Sequence, residues 1–125
     1  MSLRIHTEEL SIHSDARGRL IKAWPRACSG EVYVVELRPG EPRGHHFHVH
    51  GGEWFVPLMG SCILVVEDPH TLHRAVVPLD GIRARVEAGQ AHALFSVGSQ
   101  PALVLAVADL RHADEETVPY PVAAP

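Results

Sequence analysis

The sequence has no long hydrophobic run, no basic excess and almost no cysteine. Its longest unbroken apolar run is Ala102–Ala108, far short of the roughly 20 residues that a membrane-spanning helix needs. The formal net charge is −4 and the 11 basic residues are scattered, so a surface suited to a phosphate backbone is missing. Two cysteines are too few for a disulfide framework and are expected to be reduced thiols. We therefore expect a cytoplasmic protein that binds neither membranes nor nucleic acid.

Uninterrupted stretches long enough for a helical bundle are also scarce, because ten glycines and ten prolines punctuate the chain. The intervening segments are rich in β-branched and aliphatic residues and predict about nine strands. These strands are predicted at Arg19–Trp24, Glu31–Arg38, His45–His50, Glu53–Leu58, Ser61–Glu67, Arg74–Leu79, Ile82–Glu87, Ala91–Val97 and Ala102–Leu110. Many short strands with Gly and Pro turns are typical of an all-β sandwich or barrel. The length fits a single domain, residues 1–125.

What the sequence has in excess is histidine. Four of its ten histidines crowd together, at His45, His46, His48 and His50. Residues two apart share one face of a strand, so the last three of these are predicted to point the same way. Neutral imidazoles presented by a rigid strand suit a divalent metal ion.

Two further residues are candidate ligands for the same ion. Glu53 follows the histidine strand after Gly51-Gly52, and the freedom of glycine to take positive φ is expected to let the chain reverse there. His92 lies in a later predicted strand. The candidate metal ligands are therefore His46, His48, Glu53 and His92.

These residues resemble the first motif of the cupin superfamily. That motif is glycine, five residues, histidine, one residue, histidine, three or four residues, glutamate, six residues and glycine. Every fixed position is matched, by Gly40, His46, His48, Glu53 and Gly60.

The second cupin motif is matched in part. Gly81, Gly89 and His92 agree with it, whereas Glu87 stands in place of a proline and Ser96 in place of an asparagine. All four expected ligand positions are thus present. The resemblance implies a cupin double-stranded β-helix, a conical jelly-roll barrel, with one divalent metal ion in its mouth. Zinc is the first choice, and iron, nickel and manganese suit the same ligands.

Within the cupins, the chain resembles the C-terminal cupin domain of capsular polysaccharide biosynthesis epimerase/reductases and the dTDP-sugar 3,4-ketoisomerases. The shared pieces are Asp15-Ala16-Arg17-Gly18, the Arg-Gly-x-His-x-His segment that begins at Arg43, and the tail at Glu116-Thr117. The resemblance implies a metal-dependent epimerase or isomerase. It would act next to the keto group of a nucleotide-linked 4-keto hexose in polysaccharide biosynthesis.

Removal of a hydrogen next to a ketone requires a base that is not bound to the metal. The nearby candidates are His50, Tyr33 and His45, and His50 is favoured because it lies on the predicted inward face. Arg43 is a candidate for substrate binding because its guanidinium fork suits oxyanions. In the metal-free ketoisomerases that the sequence resembles, the residues matching His46 and His48 would instead be the acid and base.

Two other functions remain open from the sequence. Three histidines and a glutamate would equally hold iron in a cupin dioxygenase, or the metal would only brace a non-catalytic ligand-binding or sensor cupin. Fold alone does not choose between them. We also expect a homodimer, because a short barrel has open sheet edges and apolar strands that gain from being covered.

Overall fold

A computed structural model of the chain describes Leu3 and residues 5–125. The described residues form twelve strands and one 3-10 turn, which follows β11 at His112–Asp114. The strands are β1 (Ile5–Glu9), β2 (Ser11–Asp15), β3 (Gly18–Lys22), β4 (Glu31–Leu37), β5 (Arg43–His48), β6 (Glu53–Met59), β7 (Cys62–Glu67), β8 (Arg74–Pro78), β9 (Ile82–Val86), β10 (Ala91–Ser96), β11 (Ala102–Ala108) and β12 (Thr117–Pro119).

Two five-stranded antiparallel sheets face each other. The first has the strand order β1-β9-β6-β11-β4, and the second has the order β12-β5-β10-β7-β8. Neighbouring strands in each sheet are mostly far apart in sequence, as in a jelly roll. The short hairpin of β2 and β3 lies apart from both sheets. The all-β prediction is confirmed.

The core lies between the two sheets and follows the alternation of each strand. The first sheet contributes side chains such as Leu37, Phe55 and Val104, and the second contributes Leu64 and Val66. A second cluster packs on the outer face of the second sheet, where the C-terminal segment covers it. Both faces of the second sheet therefore bury side chains.

The strands that the sequence did not predict are β1, β2 and β12. The first two carry mostly polar, exposed side chains, so hydrophobic alternation is absent from them. β12 contains Pro119 and exists because it pairs with β5 at the edge of the second sheet. The histidine strand is also displaced from the prediction, since β5 begins at Arg43 and ends at His48. No helix in the described part of the chain is long and apolar enough to cross a membrane.

Candidate functional site

Three of the predicted ligands converge on the inner face of the second sheet. β5 pairs with β10 so that His46 and His92 are direct cross-strand neighbours, and His48 lies two residues further along β5. One ring nitrogen from each histidine lies within 4.8 Å of the other two. The two-residue spacing along β5 thus brings His46 and His48 together, and the pairing of β5 with β10 adds His92.

Gly44 permits this close approach of β5 and β10. Its φ is +108°, a conformation that side chains disfavour, and an added Cβ would lie 2.7 Å from the carbonyl oxygen of His92. A larger residue here would push the two histidine strands apart.

Glu53 reaches the cluster from the opposite sheet. Its side chain is 2% exposed, and Oε1 lies 3.3 Å from Nε2 of His48 and 3.6 Å from Nε2 of His92. Tyr33 donates its hydroxyl hydrogen to Oε2, whereas Oε1 accepts no hydrogen bond. A buried carboxylate oxygen without a hydrogen bond is costly, so this atom is suited to a cation.

The cavity changes the protonation of these groups. Burial lowers the pKa of His92 to about 4 and also lowers the pKa of His46, so both rings are neutral at pH 7. Burial raises the pKa of Glu53, but the close approach of His48 and His92 and the hydrogen bond from Tyr33 outweigh it and leave the pKa lowered. Burial and the Glu53 charge raise the pKa of Tyr33, which keeps its proton. Neutral imidazoles beside an ionised carboxylate are the protonation states in which these groups bind metals.

Backbone and side-chain partners orient two of the rings. Nδ1 of His48 lies 3.1 Å from Oγ1 of Thr117, and Nδ1 of His92 lies 3.5 Å from the carbonyl oxygen of Gln90. When Nδ1 donates, Nε2 keeps its lone pair, and in both residues Nε2 is the atom nearest Glu53.

The turn between β5 and β6 differs from the sequence prediction. Neither glycine of Gly51-Gly52 has a positive φ. Gly52 is required for space instead, because an added Cβ would lie 2.5 Å from the Arg85 guanidinium and 2.8 Å from the Val86 carbonyl oxygen. The expectation that these glycines reverse the chain through positive φ is therefore wrong.

Two carboxylates hold this turn by its backbone. Glu115 accepts hydrogen bonds from the N–H groups of His50 and Gly51, and Asp109 accepts one from Gly52. Asp109 is itself bound by both terminal nitrogens of Arg85. The turn that connects His48 to Glu53 is thus fixed from outside the cavity.

A cavity of about 200 Å³ opens in front of the cluster. Val35, Phe55 and Leu94 form its apolar wall. Its polar lining consists of Tyr33, Arg43, His46, Glu53, His92 and His112. Pockets for drug-sized ligands measure roughly 300 to 1,000 Å³, so this one encloses a smaller group.

The two remaining predicted residues lie in different places. Arg43 is exposed at the cavity mouth, as expected of a residue that meets substrate. His50 does not line the cavity, because β5 ends at His48 and the chain bends away. The His50 side chain is 57% exposed, with Nε2 3.9 Å from a Glu116 carboxylate oxygen. The prediction that His50 shares the inward face is wrong.

Two residues of the site were not predicted from the sequence. Thr117 contacts His48, whereas the sequence indicates it only as part of the tail that resembles the epimerase and ketoisomerase sequences. His112 lines the cavity from the 3-10 turn, and no spacing relates it to the other histidines. Only the folded chain brings it near them.

Comparison with known proteins gives the family and the fold. Residues 13–117 match the family described as the polysaccharide biosynthesis C-terminal domain. The tetracenomycin polyketide synthase protein TcmJ of Streptomyces glaucescens is 32% identical over 107 residues, which cover 79% of this chain and 68% of TcmJ.

Solved structures share the same architecture. A dTDP sugar isomerase from Desulfovibrio desulfuricans G20 is 21% identical, with a TM-score of 0.85 over 97% of this chain and 86% of that one. The 3'-monoepimerase ChmJ of Streptomyces bikiniensis, solved with dTDP-quinovose, is 23% identical, with a TM-score of 0.76 over 94% of this chain and 71% of ChmJ. These likenesses confirm the cupin jelly roll that the sequence motifs predicted.

Proposed function

The chain belongs to the polysaccharide biosynthesis C-terminal domain family, and on that premise we propose that it is a metal-dependent epimerase or isomerase of a nucleotide-linked 4-keto hexose. The observation that carries the proposal is the buried Oε1 of Glu53, which lacks a hydrogen bond at the base of a small cavity. The solved relatives act on dTDP-linked sugars, which supports the substrate class.

The residues present fit a divalent metal ion. Two ligands about 2.1 Å from a tetrahedral ion are about 3.4 Å apart. Oε1 of Glu53 lies 3.3 Å and 3.6 Å from the two nearest histidine nitrogens, close to that separation. His46, His48, Glu53 and His92 would hold the ion, and zinc suits this set of nitrogen and oxygen donors. When bound, the ion supplies a Lewis acid that polarises the keto oxygen.

Tyr33 is proposed to move a proton. Its ring lines the cavity, its hydroxyl donates to Glu53, and its raised pKa keeps that hydroxyl protonated. A protonated hydroxyl beside the reacting carbons is a hydrogen-bond donor to an enolate oxygen and a source of the returning proton.

Arg43 is proposed to hold the diphosphate of the substrate. It lies at the cavity mouth, and its guanidinium makes no hydrogen bond or ion pair within the described part of the chain. The cavity is sugar-sized, so the nucleotide would lie outside it, where the guanidinium can bind two phosphate oxygens.

Metal analysis and a proton-exchange assay test this function together. The purified protein is analysed for bound metal and then incubated with dTDP-4-keto-6-deoxyglucose in deuterated water. We expect one divalent ion per chain and uptake of deuterium beside the keto group, with both lost on chelation and restored by zinc. Exchange at the full rate in chelated protein would reject the metal mechanism and return proton transfer to His46 and His48.

A polyketide substrate is the second candidate. TcmJ is a polyketide synthase protein and is more similar in sequence, at 32%, than either solved sugar enzyme. Absence of deuterium uptake from the keto sugar, together with binding of an aromatic polyketide, would favour it. Bound iron with oxygen uptake would indicate a dioxygenase, and bound metal without any turnover would indicate a ligand-binding cupin.

A homodimer is part of the proposal. β4 is an edge strand of the first sheet and exposes Val32 and Val34, which are 50% and 57% exposed. A second copy that covers this edge would bury both side chains. Light scattering is expected to give about twice the chain mass of 13.7 kDa, and a mass equal to one chain at micromolar concentration would contradict the dimer.

A further inference from the structure

His112 occupies a position in the cavity that the metal cluster does not explain. It begins the 3-10 turn after β11, and none of the residues of that turn is buried. The turn therefore contributes little to the core, yet His112 lines the cavity, with its ring centroid 6.3 Å from that of His48. It is not among the histidines whose ring nitrogens come together within the described residues.

One carboxylate fixes both the backbone and the ring of His112. Glu31, the first residue of β4, accepts a hydrogen bond of 2.9 Å from the His112 N–H through Oε1. Its other oxygen, Oε2, lies 3.5 Å from Nδ1 of the ring. The backbone hydrogen bond from His112 lowers the pKa of Glu31, so the carboxylate is ionised at neutral pH.

This contact favours one tautomer of the His112 ring. A carboxylate beside Nδ1 favours the neutral tautomer with its proton on Nδ1. The lone pair is then on Nε2, at the edge of the ring away from Glu31. A histidine whose second nitrogen is oriented by a third group such as a carboxylate is a recurring arrangement of catalytic bases.

The surroundings of His112 suit a group that exchanges protons. Its ring centroid lies 4.9 Å from that of Tyr33, so the two groups are adjacent in the cavity. Its side chain is half exposed, which lets a proton pass to bulk water. His112 is thus in contact with solvent and adjacent to Tyr33, whose hydroxyl donates to Glu53.

From this geometry we propose that His112 is a catalytic residue that removes the proton next to the keto group, with Glu31 as its positioning residue. This role rests on the proposed isomerase function. In the step, the C–H electron pair becomes the C=C bond of an enolate and the carbonyl π pair moves onto the keto oxygen. The proton goes to Nε2 of His112 and passes from there to bulk water. The Tyr33 hydroxyl then donates a proton to the carbon, the C=C pair becomes the new C–H bond, the oxygen pair reforms the carbonyl, and Tyr33 is reprotonated.

Solvent exchange separates this role from a structural one. The assay follows deuterium uptake into dTDP-4-keto-6-deoxyglucose by mass spectrometry, with dTDP affinity measured in parallel. His112→Gln is expected to lower exchange by about 10²- to 10⁴-fold while dTDP binding is unchanged. In His112→Ala, added imidazole is expected to restore exchange, because the deleted ring was half exposed at the mouth.

The variants of Glu31 and a matched histidine complete the test. Glu31→Gln is expected to lower kcat and leave KM unchanged, and Glu31→Asp is expected to recover part of kcat. His6→Gln is the control, since His6 also faces a carboxylate, with Nε2 3.6 Å from Glu87, but lies outside the cavity. It should exchange at the wild-type rate.

The outcomes that overturn the proposal are distinct. Exchange at the wild-type rate in His112→Gln, or failure of imidazole to restore His112→Ala, would remove His112 as the base and leave the isomerase function intact. Absence of exchange in the wild type would reject the isomerase function itself, and the role of His112 with it.

Discussion

The carboxylates on the two faces of the first sheet differ in their hydrogen-bond partners. On the inner face, Glu53 is buried beside the neutral rings of His46 and His92, and one of its oxygens accepts no hydrogen bond. On the outer face, Glu8 accepts hydrogen bonds from both Arg83 and Arg26.

The outer face is also closed by packing. The guanidinium of Arg26 lies 4.8 Å from the ring centroid of Trp24 and 5.6 Å from that of Trp54. Glu8, Arg83 and Arg26 are paired with one another there, whereas Oε1 of Glu53 on the inner face accepts no hydrogen bond. We therefore propose that the outer ion pairs stabilise the fold and that the inner carboxylate serves the proposed function.

The largest effect is expected from Glu53→Gln. It removes the carboxylate from the four proposed metal ligands, so we expect loss of bound zinc and a fall in exchange activity of at least about 10²-fold. Zinc at a thousandfold excess over its Kd would add about 4 kcal/mol of stability to the wild type. Chelation should therefore lower the melting temperature of the wild type by roughly ten degrees or more and leave that of Glu53→Gln unchanged.

Calorimetry with and without chelator measures this. A zinc-bound Glu53→Gln that melts with the zinc-bound wild type would show that the inner carboxylate is not a ligand, and would remove the contrast between the two faces.

The matched change on the outer face is Glu8→Gln. It leaves the nearly buried Arg83 without its charged partner, 2.6 Å away, and weakens the contact to Arg26. We expect a loss of about 1 to 2 kcal/mol in the free energy of unfolding, because Glu8 itself is partly exposed. Zinc content and exchange activity should stay at wild-type values. Urea unfolding measures the loss of stability, and the exchange assay measures activity. Lost activity in a folded Glu8→Gln protein would refute the proposal that the outer ion pairs only stabilise the fold.

A smaller effect on the inner face is expected from Thr117→Val. Valine keeps the shape of threonine and removes the oxygen 3.1 Å from Nδ1 of His48. The ring then loses the partner that fixes its orientation, so zinc affinity should fall by about tenfold. Competition with a coloured chelator measures the affinity. Thr71→Val, in an exposed turn outside the cavity, is the control and should bind zinc normally.

The smallest expected effect is on how the free energy of unfolding changes at acid pH. The hydrogen bonds from Arg83 and Arg26 lower the pKa of Glu8 in the folded state. The unfolded chain therefore binds a proton at higher pH than the folded chain does. The contribution of Glu8 is complete above the ordinary pKa of a glutamate and is lost as the pH falls through the folded value.

Melting temperatures measured between about pH 6 and pH 3 test this. The difference between wild type and Glu8→Gln should shrink toward the acid end, by less than about 1 kcal/mol in free energy. A difference that is constant across this range would show that the outer pair does not titrate as the geometry requires.

Much of the fold was predictable because its signals are local. β-Branched segments between glycines and prolines indicated nine strands, and two-residue alternation placed His46 and His48 on one face. The three strands that were not predicted depend on partners elsewhere in the chain: β1 on β9, β2 on the hairpin with β3, and β12 on β5.

The site shows the same division. The cupin spacing located four candidate ligands, but it gave no account of how Glu53 arrives from the opposite sheet or why its Oε1 is left without a hydrogen bond. Two-residue alternation also predicted that His50 faces inward, which is wrong. The strand ends at His48, because the end of a strand is set by the turn that follows. Here that turn is tied to Glu115 and Asp109, which lie about 60 residues away.

The sequence by itself therefore determined the fold class and the chemical type of the cluster, because strand periodicity and motif spacing act over a few residues. Tertiary structure alone decided that His92 lies beside His46, that Thr117 orients His48, and that His112 and its partner Glu31 face the cavity. These contacts join segments up to 81 residues apart. Their geometry depends on how the two sheets pack, which no local pattern in the chain encodes.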